Sequence, residues 1–350
     1  MNKKLRLFVA VGLLVSFGLT TIWSTVPDLF WVQLGFLAVG ILIAFIFYKL
    51  DFTVALSLST LIYIFSVFLL VITLFFGDSV RGATRWLGVG PFAPQTSEIV
   101  KPLLVLAYAG FLVNHKLDKL KNLLLYLVMV GIPVILVKIQ PDLGSALVLS
   151  ALAAFMAVFG GLSARKIILF LLFLLLLIPL SPYFLKDYQL DRLESFINPY
   201  HDPRGRGYNV IQSVIAIGSG GIFGKGVRLG TQSHLNFLPE RHTDFIFASF
   251  AEEFGFLGIC LTLIAYFSLL SLLLATVEKL KEQEYRLLGV GIIAIILFQT
   301  VVNIGMNLGM MPVTGITLPL FSYGGSSLLS FMALLGMSAR LLELTPTHQI

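Results

Sequence analysis

The residues best suited to acid–base chemistry stand together near the end of a long polar stretch. Asp244 follows Arg241 and His242 and immediately precedes an apolar run. A carboxylate held beside basic groups can act as a general base and take a proton from a substrate hydroxyl. The same carboxylate could instead cap the helix that begins after it, and position alone favours the cap. The sequence therefore leaves two roles open for Asp244.

Charged side chains also occur inside apolar segments. Glu98 and Lys101 are three residues apart, a spacing that places them on one helix face where they can pair. Asp142 follows a Gln-Pro break and could either cap the next helix or face a cavity. Glu252 and Glu253 lie inside another apolar stretch, and we expect at least one to face the interior. Charges at membrane depth are usually paired and functional, with a purely structural ion pair as the alternative.

The composition indicates that a membrane bundle positions these groups. Of the 350 residues, 57% are hydrophobic and 12% are charged, whereas about a quarter are charged in an ordinary soluble domain. With a mean hydropathy of +0.95, these values exclude a soluble globular protein, a disordered chain and a nucleic-acid-binding protein. The net charge of +6 then reports membrane topology. We predict an all-α polytopic integral membrane protein with a single domain over residues 1–350 and no nucleic-acid partner.

The apolar runs are long enough for ten transmembrane helices, since about 20 residues cross the hydrocarbon core. The first run lacks a small-residue cleavage site and is predicted to be a retained helix rather than a signal peptide. Lys and Arg concentrate in the short loops on one side, which predicts cytoplasmic N- and C-termini. The predicted spans are 7–23, 30–48, 53–76, 98–113, 122–138, 144–160, 167–185, 246–276, 287–307 and 323–341.

One long extracytoplasmic loop, residues 186–245, connects the seventh and eighth predicted spans. A loop of this length is usually functional. Its glycine-rich part, 218–226, fails the Walker pattern and is predicted to be a turn whose backbone amides could meet an anion. Two apolar faces at helical spacing predict short helices on the membrane surface. They consist of Leu190, Leu193, Phe196 and Ile197, and of Val210, Ile211, Val214 and Ile215.

Residues 303–326 place several glycines and two prolines in a segment that is otherwise apolar. This pattern predicts an unwound or re-entrant stretch, which is tolerated at membrane depth only where protein or a watery cavity surrounds it. Pro102 and Pro133 interrupt the fourth and fifth spans in the same way. We therefore expect these segments to line a cavity, as broken helices do in transporters.

Four motifs follow one another along the chain. They are Gly82-Ala-Thr-Arg-Trp-Leu with Pro94-Gln-Thr-Ser-Glu-Ile-Val-Lys101, Gln140-Pro-Asp-Leu-Gly144, Leu238-Pro-Glu-Arg-His-Thr-Asp-Phe-Ile-Phe247, and Pro312–Ser326. Together they resemble the SEDS family (shape, elongation, division and sporulation), and the resemblance spans essentially the whole chain. The long loop is most similar to the RodA elongation branch of that family, with the FtsW division branch as the close alternative.

The resemblance implies a peptidoglycan glycosyltransferase. Such enzymes polymerise lipid II, a disaccharide-pentapeptide on undecaprenyl pyrophosphate, at the outer face of the bacterial cytoplasmic membrane. Asp244 matches the family's essential aspartate, which favours the catalytic role over the cap, and Glu98, Lys101 and Asp142 match its buried Glu, Lys and outer Asp. The resemblance also implies a class B penicillin-binding protein as partner, contact with the elongation machinery and membrane lipids, and stimulation by a divalent cation such as Mg²⁺ or Mn²⁺. No metal-ligand set is visible in the sequence.

Transfer with inversion needs a base for the acceptor hydroxyl and cations for the anionic pyrophosphate leaving group. We hypothesise that Asp244 is that base. The candidate outer cations are Arg85, Arg204, Arg206, Lys225, Arg228 and Arg241. The remaining predicted substrate-binding or cavity residues are Trp86, Glu98, Lys101, Asp142, Glu240 and His242.

Two other functions fit parts of the pattern. A lipid II flippase would use broken helices and a charge pair near the midplane, and it should depend on Glu98 and Lys101 more than on Asp244. A non-catalytic scaffold for the penicillin-binding protein should tolerate loss of Asp244. An enzyme of the outer face should require Asp244.

Overall fold

The computed structural model describes residues 3–80, 83–88, 93–168, 187–205 and 207–345. Within them the chain is mostly helical, which confirms the predicted all-α fold class. A short antiparallel hairpin that we did not predict is formed by β1 (Asp78–Val80) and β2 (Ala83–Trp86). The helices are α1 (Lys3–Thr25), α2 (Pro27–Lys49), α3 (Phe52–Ser57), α4 (Ser59–Phe76), α5 (Thr96–Asn114), α6 (Leu120–Ile139), α7 (Leu143–Phe159), α8 (Asp187–Ile197), α9 (Tyr208–Ser219), α10 (Thr231–His234), α11 (Ile246–Lys279), α12 (Gln283–Asn307) and α13 (Gly325–Leu344).

The described residues contain eight helices that are long and apolar enough to cross a membrane, and α7 is a shorter apolar helix. Nine of the predicted spans correspond to these helices, the third being divided between α3 and α4. The seventh predicted span falls almost entirely on residues 169–186, outside the described residues. The count of ten and the cytoplasmic location of the termini therefore stay predictions.

The interior of the bundle is formed by α5, α12 and α13, of which more than two thirds is buried, whereas α2 and α6 are mostly exposed. Helices that are apolar all round and yet exposed are typical of a lipid-facing surface. The motif Thr96–Lys101 therefore begins the most buried helix of the described bundle. This location places the only charged residues of α5 in the protein interior.

The glycine-rich segment 218–226 packs against a kink in α11, where Gly255 has φ 63° and ψ −165°. The kink frees backbone groups of α11, and the amides of Lys225 and Gly226 donate to the carbonyls of Glu252 and Glu253, both at 3.0 Å. A Cβ atom on Gly255 would collide with the backbone of the glycine-rich segment, so glycine is required there. These two amides of the predicted turn are therefore used inside the protein and do not face an anion.

The long loop contains both predicted short helices, as α8 and α9. Helix α9 packs on the core through Val210, Ser213 and Ala216, which are buried. The hydroxyl of Ser213 donates to the Asn307 carbonyl at 2.7 Å, which attaches α9 to the end of α12. The predicted unwound stretch is also present, since residues 308–324 between α12 and α13 form no helix. Loop and unwound segment thus meet at the same end of the bundle.

Candidate active site

Asp244 lies in a tight turn just before α11. The turn is closed by the amides of Thr243 and Phe245, which both donate to the Glu240 carbonyl at 3.1 Å. Glu240 has a φ of 49°, and Phe245 is the N-cap residue of α11. Asp244 therefore lies directly before the N-cap residue of α11, and its role as base stays a prediction. Its side chain is partly exposed, as a base that meets a substrate must be.

The backbone of this turn is fixed from inside the bundle by two asparagines of α12. The Asp244 carbonyl accepts hydrogen bonds from Asn303 Nδ2 at 3.1 Å and from Asn307 Nδ2 at 3.0 Å. Asn307 Oδ1 in turn accepts from the Ala248 amide at 3.1 Å. Both asparagines are fully buried, where an unmade hydrogen bond is costly. The position of Asp244 is thus set by side chains that sequence reasoning did not single out.

The unwound segment 308–324 borders the turn on its other side. Ser322 Oγ donates to the Thr243 carbonyl at 2.8 Å, and the Tyr323 amide donates to the His242 carbonyl at 2.9 Å. A Cβ atom on Gly315 would lie 3.6 Å from Asp244 Oδ2, so bare backbone faces the carboxylate.

Asp142 is buried at the start of α7 and caps that helix. Its Oδ1 accepts from the Ser145 amide at 3.1 Å, and its Oδ2 accepts from Gln95 Nε2 and Ser97 Oγ, both at 3.0 Å. Arg85 of β2 approaches Oδ1 to 3.8 Å and also donates to the Pro141 carbonyl. Asp142 therefore caps α7, one of its two predicted roles. Arg85 lies beside the Asp142 carboxylate and donates to the preceding carbonyl, that of Pro141.

Thr314 connects the surroundings of Asp142 and Asp244. A Cβ atom on Gly144 would lie 2.7 Å from the Thr314 carbonyl, so the start of α7 packs directly on the unwound segment. Arg192 NH1 of α8 donates to the same carbonyl at 3.3 Å. Arg192 is a cation of the outer loop that our sequence analysis missed. Arg192 lies between the apolar residues Leu190 and Phe196 of an amphipathic helix, and this position could have marked it as a candidate cation near the site.

Glu98 and Lys101 form the predicted pair, with 2.6 Å between Lys101 Nζ and Glu98 Oε1. The Lys101 side chain is fully buried and that of Glu98 is 6% exposed. Breaking such a pair leaves a buried charge without compensation, which is strongly destabilising. Glu98 Oε2 has no hydrogen-bond partner among the described residues. The pair is present as predicted, and its role in substrate handling stays a prediction.

Glu252 is fully buried, in line with the expectation of an interior carboxylate, and it anchors the outer loop. Its carboxylate accepts from Lys225 Nζ at 2.8 Å, from the amides of Gln232 and Ser233 at 2.9 and 3.1 Å, and from Thr231 Oγ1 at 3.2 Å. Lys225, a predicted leaving-group cation, is therefore already paired. The sequence indicated a buried carboxylate here but could not name its partners.

Glu253 makes a second set of contacts with the outer loop. It accepts from the Ser24 hydroxyl, from the Arg228 amide at 3.2 Å and from His234 Nε2 at 3.1 Å. Burial lowers the pKa of the His234 imidazole. Arg228, another predicted cation, stacks over Trp23 at 4.1 Å from the ring centroid. Glu252 and Glu253 of α11 thus both hold the loop.

The remaining predicted site residues are dispersed around these centres. Arg241 donates to Asn236 and, at 3.4 Å, to the Thr25 carbonyl. Arg204 is exposed, and Arg206 lies outside the described residues.

Trp86 ends β2 and pairs with Gln95. The Glu240 carboxylate accepts from Thr243 Oγ1 at 3.2 Å, and the rings of His242 and Tyr323 are 5.6 Å apart.

The described residues contain no preassembled cluster of metal ligands. In the part of the chain that the structure describes, no group of three or more His, Cys, Asp or Glu side chains comes together. Mg²⁺ is usually bound by one or two carboxylates together with substrate phosphates, so the expected divalent cation stays a prediction. We therefore derive no step of the reaction through a protein-held cation.

Comparisons with known proteins identify relatives of the whole chain. The chain is 40% identical over 308 residues to the peptidoglycan glycosyltransferase MrdB of Escherichia coli K12, covering 87% of this chain and 83% of that protein. It is 34% identical to the stage V sporulation protein E of Bacillus subtilis, covering 95% and 93%. Among solved structures it matches RodA of Thermus thermophilus with a TM-score of 0.73 at 31% identity, covering 96% and 95%.

A further structural match is a chain from work on the structural coordination of polymerization and crosslinking by a peptidoglycan synthase complex. The TM-score is 0.84 at 37% identity, and 96% of each chain is covered. The family model for FtsW, RodA and SpoVE, described as cell cycle protein, matches residues 3–345. The resemblance found from the motifs is thereby confirmed, and with it the location in the bacterial cytoplasmic membrane. This chain belongs to the FtsW/RodA/SpoVE family.

Proposed function

We propose that this chain is the peptidoglycan glycosyltransferase of cell elongation, which polymerises lipid II at the outer membrane face with Asp244 as general base. The observation that carries the proposal is the fixed turn before α11. It presents a partly exposed carboxylate outside the helix cap, while Asn303 and Asn307 hold its backbone. Glycosyl transfer is also the activity named for relatives that cover most of the chain.

The chemistry balances with one protein base. The acceptor sugar hydroxyl loses its proton to the Asp244 carboxylate while its oxygen attacks the anomeric carbon of the donor. The bond from that carbon to the pyrophosphate oxygen breaks, and the lipid pyrophosphate leaves as an anion. A positioned base contributes typically about 10²–10⁴-fold to such a step. At Gly315 only backbone borders Asp244 Oδ2, since even a Cβ atom there would lie 3.6 Å from that oxygen.

The anionic leaving group calls for cations near the turn. Arg192 supports this role because it contacts the carbonyl next to Gly315. Lys225 is a weaker candidate because it is already paired with Glu252. Arginine suits a pyrophosphate because its planar donors bind phosphate oxygens in pairs. We assign the leaving-group contact to Arg192, with Arg204 and Arg206 as further loop cations.

A class B penicillin-binding protein is the partner we propose. The support is the match to a chain of a peptidoglycan synthase complex that couples polymerization and crosslinking. Elongation rather than division is the role we propose from the long-loop motifs. We also propose that Mg²⁺ or Mn²⁺ stimulates the reaction by binding the pyrophosphate of the substrate.

The test is polymerisation of lipid II by the purified chain with its partner, whose transpeptidase is blocked, read as glycan polymer on a gel. Asp244→Asn keeps the shape of the side chain and removes the base, and should abolish polymer. Asp51→Asn is the matched control, because Asp51 caps α3 and asparagine also caps well. It should leave polymerisation unchanged.

Two outcomes would refute the proposal. Full polymerisation by Asp244→Asn removes Asp244 as base and favours the scaffold alternative. If neither chain makes polymer while both transport lipid II across vesicles, the flippase alternative replaces the enzyme. In that case transport should fail in Lys101→Met, which breaks the buried pair of α5.

A further inference from the structure

A deep apolar groove lies between α1, α2 and α13, at the end of the bundle opposite the Asp244 turn along these helices. Its volume is about 630 Å³, within the range of clefts that bind small molecules. The wall is apolar, and Leu7, Val11, Ile41, Phe45 and Met332 are among its residues. We call this cleft the inner groove. Its apolar wall is suited to binding a hydrocarbon chain.

The mouth of the inner groove carries a cluster of charged and polar side chains. Glu343 Oε1 accepts from Lys4 Nζ and from the Tyr48 hydroxyl, both at 2.5 Å, and Glu343 Oε2 lies 3.3 Å from Arg340. Lys4 and Arg340 are 50% and 39% exposed, so both still face outward. One carboxylate thus faces two cations at the groove entrance.

Two more cations flank the same entrance. Lys3 donates to Thr345 Oγ1 at 3.0 Å. Lys49 Nζ lies 5.4 Å from the ring centroid of Tyr48 and 5.7 Å from that of Phe45, both of which line the groove. The mouth therefore carries a positive excess, while the interior is apolar. This distribution complements a molecule with a hydrocarbon tail and an anionic head.

We propose that the inner groove binds one anionic glycerophospholipid of the leaflet that borders the chain termini, the predicted cytoplasmic leaflet. One acyl chain fills the groove, and the phosphate lies among Lys3, Lys4, Lys49 and Arg340. Basic residues next to a membrane attract anionic lipids, by about fivefold in affinity for each charge. The proposal is independent of the glycosyl transfer chemistry.

Gly12 offers a precise way to block the groove. It lines the groove, and a Cβ atom there would meet nothing within 4 Å. Gly12→Leu therefore fills the cleft without moving the backbone, and it raises helix propensity. Gly35 of α2 is the matched control, because it is exposed, has equally open space and lies outside the groove lining.

The experiment is native mass spectrometry of the full chain in detergent with added phosphatidylglycerol or phosphatidylcholine. We expect the wild type and Gly35→Leu to retain one phosphatidylglycerol molecule, and Gly12→Leu to lose it. Lys3→Gln combined with Lys49→Gln should weaken the preference for phosphatidylglycerol about thirtyfold, since it removes two charges and leaves the Glu343 cluster intact.

Several outcomes would overturn the proposal. Equal retention by wild type and Gly12→Leu would place the lipid elsewhere. Equal retention of phosphatidylglycerol and phosphatidylcholine by the wild type would remove the role of the cations. Displacement of phosphatidylglycerol by an equimolar amount of undecaprenyl phosphate would identify the occupant as an isoprenoid carrier rather than a phospholipid.

Discussion

Exchange of Asn307 for leucine tests whether the α12 asparagines position the catalytic turn. Leucine has a similar size but donates and accepts no hydrogen bond, so Asn307→Leu removes the bonds to the Asp244 carbonyl, the Asn303 carbonyl and the Ala248 amide. Each contributes about 1 kcal/mol net, so we expect a loss of roughly 3 kcal/mol in unfolding free energy. The Asp244 carbonyl keeps its bond from Asn303, so the turn should shift rather than unfold.

A shift of the base costs catalytic rate. A displacement of about 1 Å can lower the rate about 100-fold, because the reacting atoms lose alignment. Asn307 donates to backbone and contacts no expected substrate atom, so kcat for lipid II polymerisation should fall while KM changes little. The assay is polymerisation at several lipid II concentrations, with thermal unfolding measured on the same samples.

Asn114→Leu is the matched control for Asn307→Leu. Asn114 ends α5, donates to the Gly110 carbonyl and makes no bond to the turn. It should keep the wild-type kcat. In an Asp244→Asn background, Asn307→Leu should have no further effect on activity, because both changes act on one group. A folded Asn307→Leu with wild-type kcat would refute the idea that the α12 asparagines position the base.

Three further predictions concern the buried charges and the outer loop. Lys101→Met should lower the unfolding free energy by about 3–5 kcal/mol, because it leaves the Glu98 carboxylate buried without its partner. Adding Glu98→Gln should restore part of this loss, measured by thermal unfolding in detergent. No restoration would mean that the two residues are not coupled. Lys225→Met removes the ammonium from Glu252, so amides of the outer loop should exchange hydrogen faster while those of α12 stay protected. Burial lowers the pKa of His234 below its usual 6.5, so the unfolded chain takes up a proton at this residue before the folded chain does. The melting temperature should therefore be constant above pH 6.5 and fall below it. It should fall less in His234→Gln, which has no imidazole to protonate.

The sequence predicted the local features of the molecule well. Helix positions followed from apolar runs of membrane length, and the pairing of Glu98 with Lys101 followed from their three-residue spacing within one helix. The unwound stretch followed from glycine and proline at 308–324. Each of these depends on neighbours in the chain, which is why composition and spacing were sufficient.

The tertiary contacts of the site could not be found in the same way. Asn303 and Asn307 read as two polar residues in an apolar helix, and nothing in the sequence shows that they meet a carbonyl some sixty positions earlier. Lys225 was expected to be a free cation because its partner, Glu252, is distant in sequence. The contact of Arg192 with the Thr314 carbonyl was missed because a backbone carbonyl has no side-chain signature in the sequence.

The way the site is held explains how a loop can carry a base at a membrane surface. Irregular backbone in a bundle needs partners for its amides and carbonyls. Here the partners of the Asp244 turn are the amides of Asn303 and Asn307 and the hydroxyl of Ser322. None of these groups changes protonation between acid and neutral pH, so these backbone contacts of the turn persist while the carboxylate exchanges protons. The charged anchors, Glu252 and Glu253, instead fasten the outer loop, so loop attachment and proton transfer rest on separate groups.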